Sequence, residues 1–240
     1  MRATWLVVWA LSAWLVGATA LARVERFAVV VGNNRGFASD VALRYAEADA
    51  RKVAEVLREL GPIEPANMVV LTGSDAETTR RTLITVNDRI RAAVSQPDTS
   101  VVLFVYYSGH ADENALHLGE TRLETTELAE LVRGSAASFR LLVVDACRSG
   151  KLTRPKGGKL RPPFALRDEA QLPSEGLAFL TASTADEDAQ ESDELKGSFF
   201  THALVSGLLG AADQDGDGAV VLDEAYRYAY DATLRSTSRS

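Results

Sequence analysis

The sequence predicts an α/β protein with a mostly parallel sheet and helices on both faces. Two observations carry that expectation. Apolar runs that read as strands alternate along the chain with amphipathic runs at helical spacing. The apolar runs are also nearly continuous, as in strands covered on both sides. With 240 residues, 46% hydrophobic and 25% charged, the chain suits one domain with a full core. Its net charge of −7 excludes nucleic acid or an anionic membrane surface as the main partner.

Residues 1–22 stand apart. Arg2 gives a short positive start, and residues 5–16 form an apolar core broken only by Ser12. Ala18-Thr19-Ala20 and Ala20-Leu21-Ala22 both fit a small-x-small cleavage site. This is the pattern of a secretory signal peptide. It sets the domain at 23–240 and predicts an exported protein, periplasmic or extracellular. The alternative is an uncleaved membrane anchor over residues 4–22, although the apolar stretch is short against the ~20 residues a span needs. Export sharpens the cysteine count. Cys147 is the single cysteine, so no internal disulfide can form. A leftover thiol in an exported protein is either intermolecular or reactive.

Residues 26–32, Arg-Phe-Ala-Val-Val-Val-Gly, read as the first buried strand. No G-x-G-x-x-G follows, so the turn is not a dinucleotide site. Residues 41–60 read as a helix: Leu43, Ala46, Ala50, Val53, Val56 and Leu57 recur at helical spacing, and Gly61-Pro62 ends it. Residues 68–71 are the second strand. Ser74 with Glu77 three residues on is a capping-box pattern, opening a helix to about residue 94. Residues 100–107 are the third strand, turning at Ser108-Gly109-His110-Ala111. Short runs at 116–118 and 121–123 around Gly119 predict a hairpin, and 125–132 a short helix. The fourth strand, from residue 140, breaks at Asp145-Ala146-Cys147-Arg148-Ser149-Gly150. Residues 151–173 carry Lys151, Arg154, Lys156, Lys159, Arg161 and Arg167 among four prolines and Gly157-Gly158, the composition of an exposed, flexible loop. A fifth strand at 177–183, an acidic stretch at 186–194, and helices at 199–209 and 222–234 complete the chain.

Cys147 falls where the fourth strand gives out, and open α/β sheets bind ligands at that carboxyl edge. Asp145, two residues earlier, shares its face by the period of a strand. A lone cysteine is more often a buried structural residue. Here His110 closes a second apolar strand in the same way, and an imidazole within reach is the usual means of making a thiol nucleophilic. His117 in the hairpin and His202 in a helix read as packed or surface histidines.

Tyr106-Tyr107-Ser108-Gly109-His110 and Asp145-Ala146-Cys147-Arg148-Ser149-Gly150 resemble the two catalytic motifs of caspase-like cysteine peptidases, the clan of caspases, metacaspases and bacterial relatives. The His lies 37 residues before the Cys, closer than the ~50 of animal caspases. Asp before Ala-Cys is the metacaspase-like variant. The resemblance extends from Phe27 through Tyr45-Ala-Glu-Ala-Asp-Ala to Gly197-Ser-Phe-Phe-Thr-His-Ala-Leu. Ala111 departs from the usual glycine, and a terminal strand that relatives often carry is expected to be absent. The resemblance implies a caspase-like three-layer fold and peptide hydrolysis through an acyl-enzyme, with Cys147 as nucleophile and His110 as proton carrier. It implies an oxyanion hole from the Gly109 and Cys147 N–H groups. It implies a substrate pocket of Asp145, Ser108 and Asp49 that takes Arg or Lys before the cut bond, so the expected partner is a protein or peptide with a basic residue there. The same preference predicts self-cleavage within 151–167.

Residues 213–224 form a second constellation. Asp213, Asp215, Asp217 and Glu224 stand at positions one, three, five and twelve of an EF-hand loop, with Gly218 at six. Ala219 would add its carbonyl. Calcium is therefore the expected ion, while the chemistry itself needs no cofactor. The alternative function is a non-catalytic module of the same fold with calcium-dependent binding. A cysteine hydrolase of other substrates is a third.

Overall fold

The computed structural model describes residues 23–61, 63–146, 176–182 and 190–237. In chain order the elements are β1 (Arg23–Gly32), α1 (Ala46–Leu60), β2 (Met68–Thr72), α2 (Ala76–Val94), β3 (Thr99–Ser108), β4 (His110–Ala111), β5 (Ala115–Leu118), β6 (Thr121–Glu124), α3 (Thr125–Arg133), β7 (Phe139–Asp145), β8 (Gly176–Thr181), β9 (Glu191–Ser192), β10 (Gly197–Ser198), α4 (Phe199–Ser206) and α5 (Leu222–Thr237). The central sheet has the order β2-β1-β3-β7-β8, and every pairing in it is parallel. The expectation of an α/β fold with a parallel central sheet therefore holds. β4, β5 and β6 make a small antiparallel sheet at the carboxyl edge, and β9 pairs with β10.

The alternation along each central strand builds two cores. Phe27, Val29 and Val31 of β1 pack with Leu103, Val105 and Tyr107 of β3 under Leu83 and Ile90 of α2 and Leu128 of α3. Ala28 and Val30 face the other way with Tyr106 and Val143, against Ala50 and Val53 of α1, Phe200 of α4 and Ala229 of α5. Burial on both faces explains the near-continuous apolar runs. It contributes ~1.5–3 kcal/mol for each fully buried large aliphatic side chain. Gly32 lets α1 approach, since a Cβ there would stand 2.5 Å from the Ala46 carbonyl oxygen.

Three boundaries differ from the sequence reading. The first helix begins at Ala46, not at residue 41. The intervening N–H groups are claimed from outside: Leu43 N–H by the Asn34 carbonyl, and those of Arg44 and Tyr45 by the Glu191 carboxylate. The second helix is capped by Asp75, whose carboxylate accepts from Thr78 N–H at 2.7 Å, while Ser74 gives its carbonyl to Asn33. The expected helix at 199–209 keeps α geometry to Ser206 and continues as a π turn over 207–211. No helix among the described residues is long and apolar enough to cross a membrane. Residues 1–22 and the basic loop 151–173 lie outside the described residues.

Candidate active site

β3 and β7 run side by side with Ser108 in register with Asp145. His110 follows two residues after Ser108. Gly109, between them, has no room for a side chain: a Cβ would stand 2.5 Å from the Tyr107 hydroxyl and 3.0 Å from the Asn33 carbonyl. The Tyr107 hydroxyl donates to the His110 carbonyl at 2.7 Å, pinning the turn. His110 Nε2 lies 2.8 Å from the Val41 carbonyl oxygen. A nitrogen facing a carbonyl acts as donor, which leaves Nδ1 as the acceptor of a neutral ring. Gly109 N–H donates to the Asp145 carbonyl at 3.2 Å, extending the ladder by one bond. As an oxyanion donor it would have to release that bond. Cys147 lies outside the described residues, two positions beyond Asp145.

The three expected pocket residues do come together, on the α1 and α4 side of the sheet. Asp145 is 3% exposed, Asp49 1% and Ser108 4%. Asp49 faces inward from the first turn of α1. Ser198, the N-cap of α4, joins the two acids. Its N–H donates to Asp49 Oδ2 at 2.8 Å, and its hydroxyl donates to Asp145 Oδ2. Thr201 Oγ1 donates to the same Asp145 oxygen at 2.5 Å and lies 2.5 Å from the Tyr106 hydroxyl. One proton per hydroxyl then sets the direction of the chain, from Tyr106 to Thr201 to Asp145. Asp145 Oδ1 has no hydrogen-bond partner among the described residues.

Burial pushes the Asp145 carboxyl above its usual range, against the hydrogen bonds from Ser198 and Thr201. Burial likewise raises Asp49 to about 7, and the neighbouring Asp145 adds to the rise. The Ser198 N–H and Lys52 oppose it. Lys52 Nζ stands 3.3 Å from Asp49 Oδ1 and 2.6 Å from the Lys196 carbonyl. Sequence reading missed Ser198, Thr201 and Lys52. The first two form an S-x-x-T helix start, a legible cap signal that says nothing of Asp145 more than fifty residues away.

His117 is not merely packed in its hairpin. It is 7% exposed. Its Nδ1 faces Asp40 Oδ2 at 2.7 Å and its Nε2 faces Asp112 Oδ2 at 3.2 Å. Burial works against both carboxylates, but hydrogen bonds from His117 and from backbone N–H groups hold them below their usual range.

In the loop before α5, carboxylate oxygens of Asp213, Asp215 and Glu224 converge to within 4.8 Å of one another. Gly216 and Gly218 take left-handed φ of 73° and 84°, and their N–H groups donate to Asp213. Asp217 instead accepts from Ala219 N–H at 2.8 Å and is outside the converging group. The geometry thus gathers three of the four expected carboxylates.

A family model of the caspase domain matches residues 25–226. The chain belongs to the caspase family. Caspase-family peptidases are cysteine hydrolases that act on protein substrates, and the two motif-bearing strand ends fall inside the matched region. Among solved structures, the crystal structure of caspase-1 from Spodoptera frugiperda aligns with a TM-score of 0.55. It is 16% identical, over 79% of this chain and 72% of that one. At that identity the likeness speaks to the caspase fold alone. No curated protein matches the chain.

Proposed function

We propose that this caspase-family chain is an exported endopeptidase with a His110–Cys147 dyad, cutting after Arg or Lys. The observation that carries the reading is the register of Ser108 with Asp145. Two adjacent parallel strand ends lie side by side there, and along the sequence His110 and Cys147 each follow by two residues. Cys147 Sγ attacks the scissile carbonyl carbon as its proton passes to His110 Nδ1. Collapse of the tetrahedral intermediate breaks the C–N bond, and His110 returns the proton to the leaving amine. Water, deprotonated by His110, then attacks the thioester and frees the acid and the thiol. Backbone N–H donors at the oxyanion are worth ~3–4 kcal/mol each in comparable enzymes. The Cys147 N–H is one donor. Gly109 serves as the other once it gives up the Asp145 carbonyl. Asp145 and Asp49 are two buried acids beside one cation, Lys52, and so favour a basic substrate side chain.

The test is turnover of fluorogenic Arg, Lys and Asp peptides. The wild type should cleave the first two, and Cys147→Ala and His110→Ala should each abolish activity with an unchanged melting temperature. Retained turnover in a clean Cys147→Ala preparation overturns the reading.

The convergence of Asp213, Asp215 and Glu224 favours calcium binding, which is also the basis of the alternative, a non-catalytic binding module. These three with Asp217 and the Ala219 carbonyl would hold the ion, and it would supply rigidity between α4 and α5. Millimolar calcium should raise the melting temperature by a few degrees through mass action, and Glu224→Gln should remove the rise. A melt that ignores calcium removes the ion from the account.

A further inference from the structure

His110 depends on a contact that its own strand does not supply. Its Nε2 partner is the carbonyl of Val41, whose side chain is 84% exposed. Apolar packing therefore does not anchor Val41. Its neighbour Asp40 is anchored. Asp40 Oδ2 accepts from His117 Nδ1 at 2.7 Å and from Phe37 N–H at 2.7 Å, and Asp40 N–H donates back to the Phe37 carbonyl at 2.8 Å. The Phe37 ring lies on the His117 ring, centroids 4.2 Å apart. His117 itself is paired directly with His110 across β4 and β5. The imidazole that fixes the loop and the imidazole that uses it therefore share one small sheet.

We propose that Asp40 and His117 are positioning residues that hold His110 for catalysis, by locking the 37–41 turn so that the Val41 carbonyl meets Nε2. This rests on the dyad reading. The lock is asymmetric. Asp40 joins His117 to the turn. Asp112 only steadies the far nitrogen from within the hairpin, where it also accepts from Asn114 and Ala115 N–H at 2.6 and 2.9 Å. A neutral ring can donate to one carboxylate, and a doubly protonated ring to both. Among the described residues, His117 also faces His110 on β4 and Arg122 opposite it on β6, which pairs with Glu124 at 2.7 Å. With Nε2–H of His110 held by the Val41 carbonyl, Nδ1 is the nitrogen left to accept, and the ring is held against rotation.

Misplacing a catalytic group by about 1 Å can cost ~100-fold in rate. Asp40→Asn should therefore lower kcat by roughly 10- to 100-fold with KM within about threefold. Asp112→Asn should lower it by less than about threefold, since the turn stays locked. The second readout is the nitrogen chemical shifts of the His110 ring, followed by NMR in the full chain. In the wild type and Asp112→Asn they should report the Nε2–H tautomer, and in Asp40→Asn a mixture. Asp40→Asn with an unchanged kcat and an unchanged His110 spectrum overturns the positioning role. So does an equal loss in both variants that follows the fall in melting temperature. The His110 spectrum reads the proposal even where no peptide is turned over, an outcome that would sink the dyad reading instead.

Discussion

Two pairs of carboxylates flank the carboxyl edge of the sheet, and they behave in opposite ways. On the α1 and α4 side, Asp49 and Asp145 share Ser198, and burial raises both. On the small-sheet side, Asp40 and Asp112 share His117, and both are lowered. What lies between the acids decides the sign. A serine offers a neutral O–H and an N–H, which stabilise a carboxylate less than burial costs it. An imidazole N–H is a stronger donor to a carboxylate than a serine hydroxyl, and the ring's two nitrogens reach both acids. The first pair has one cation, Lys52 beside Asp49, for two acids, as a pocket for a further basic side chain would. The second is already satisfied, as a structural lock should be.

The largest expected effect breaks the first pair. Asp145→Asn keeps an oxygen for Ser198 and Thr201 but removes the charge. It should cost ~3 kcal/mol of transition-state binding, about 100-fold in kcat/KM for Arg peptides, without lowering the melting temperature. Unchanged Arg turnover in the folded variant would refute the basic-pocket assignment.

Next is Asp49. Its carboxyl titrates near pH 7 in the folded chain against an unfolded value of 3.8. The folded state therefore binds the proton more tightly, so this contribution is fully present below pH 3.8 and is lost as pH rises through about 7. Asp49→Asn should flatten that slope and be more stable than the wild type at pH 8, by on the order of 2 kcal/mol. Parallel pH–stability curves for the two proteins count against it.

The smallest effect sharpens the second pair. Asp40 is lowered in the folded state, so its stabilisation is present above the unfolded value of 3.8 and disappears as pH falls through the folded value. Asp40→Asn should cost about 1–2 kcal/mol near neutrality, the worth of a charge-assisted bond. The gap from the wild type should close below pH ~4. A gap independent of pH would show that lost shape, not lost charge, is responsible.

Much of this was legible in order along the chain. The five central strands and the flanking helices follow from apolar period and caps, because those signals are local. The strand-end positions of His110 and Asp145 were legible for the same reason. The joins were not. Val41 to Ala46 carries a helical pattern, yet Glu191 takes two of its N–H groups from across the chain. His117 reads as a packed hairpin residue until Asp40, 77 positions away, is folded onto it.

The sequence alone determined that the chain is α/β, that it has one thiol, and that its histidine and cysteine motifs close apolar runs. Periodicity and composition act over a few residues and need no partner. Only the tertiary structure decided which carboxylates share a serine and which a histidine, which are raised and which lowered, and that a backbone carbonyl from a turn faces His110. Those outcomes depend on distance through space and on burial. Both appear only when strands far apart in sequence lie side by side.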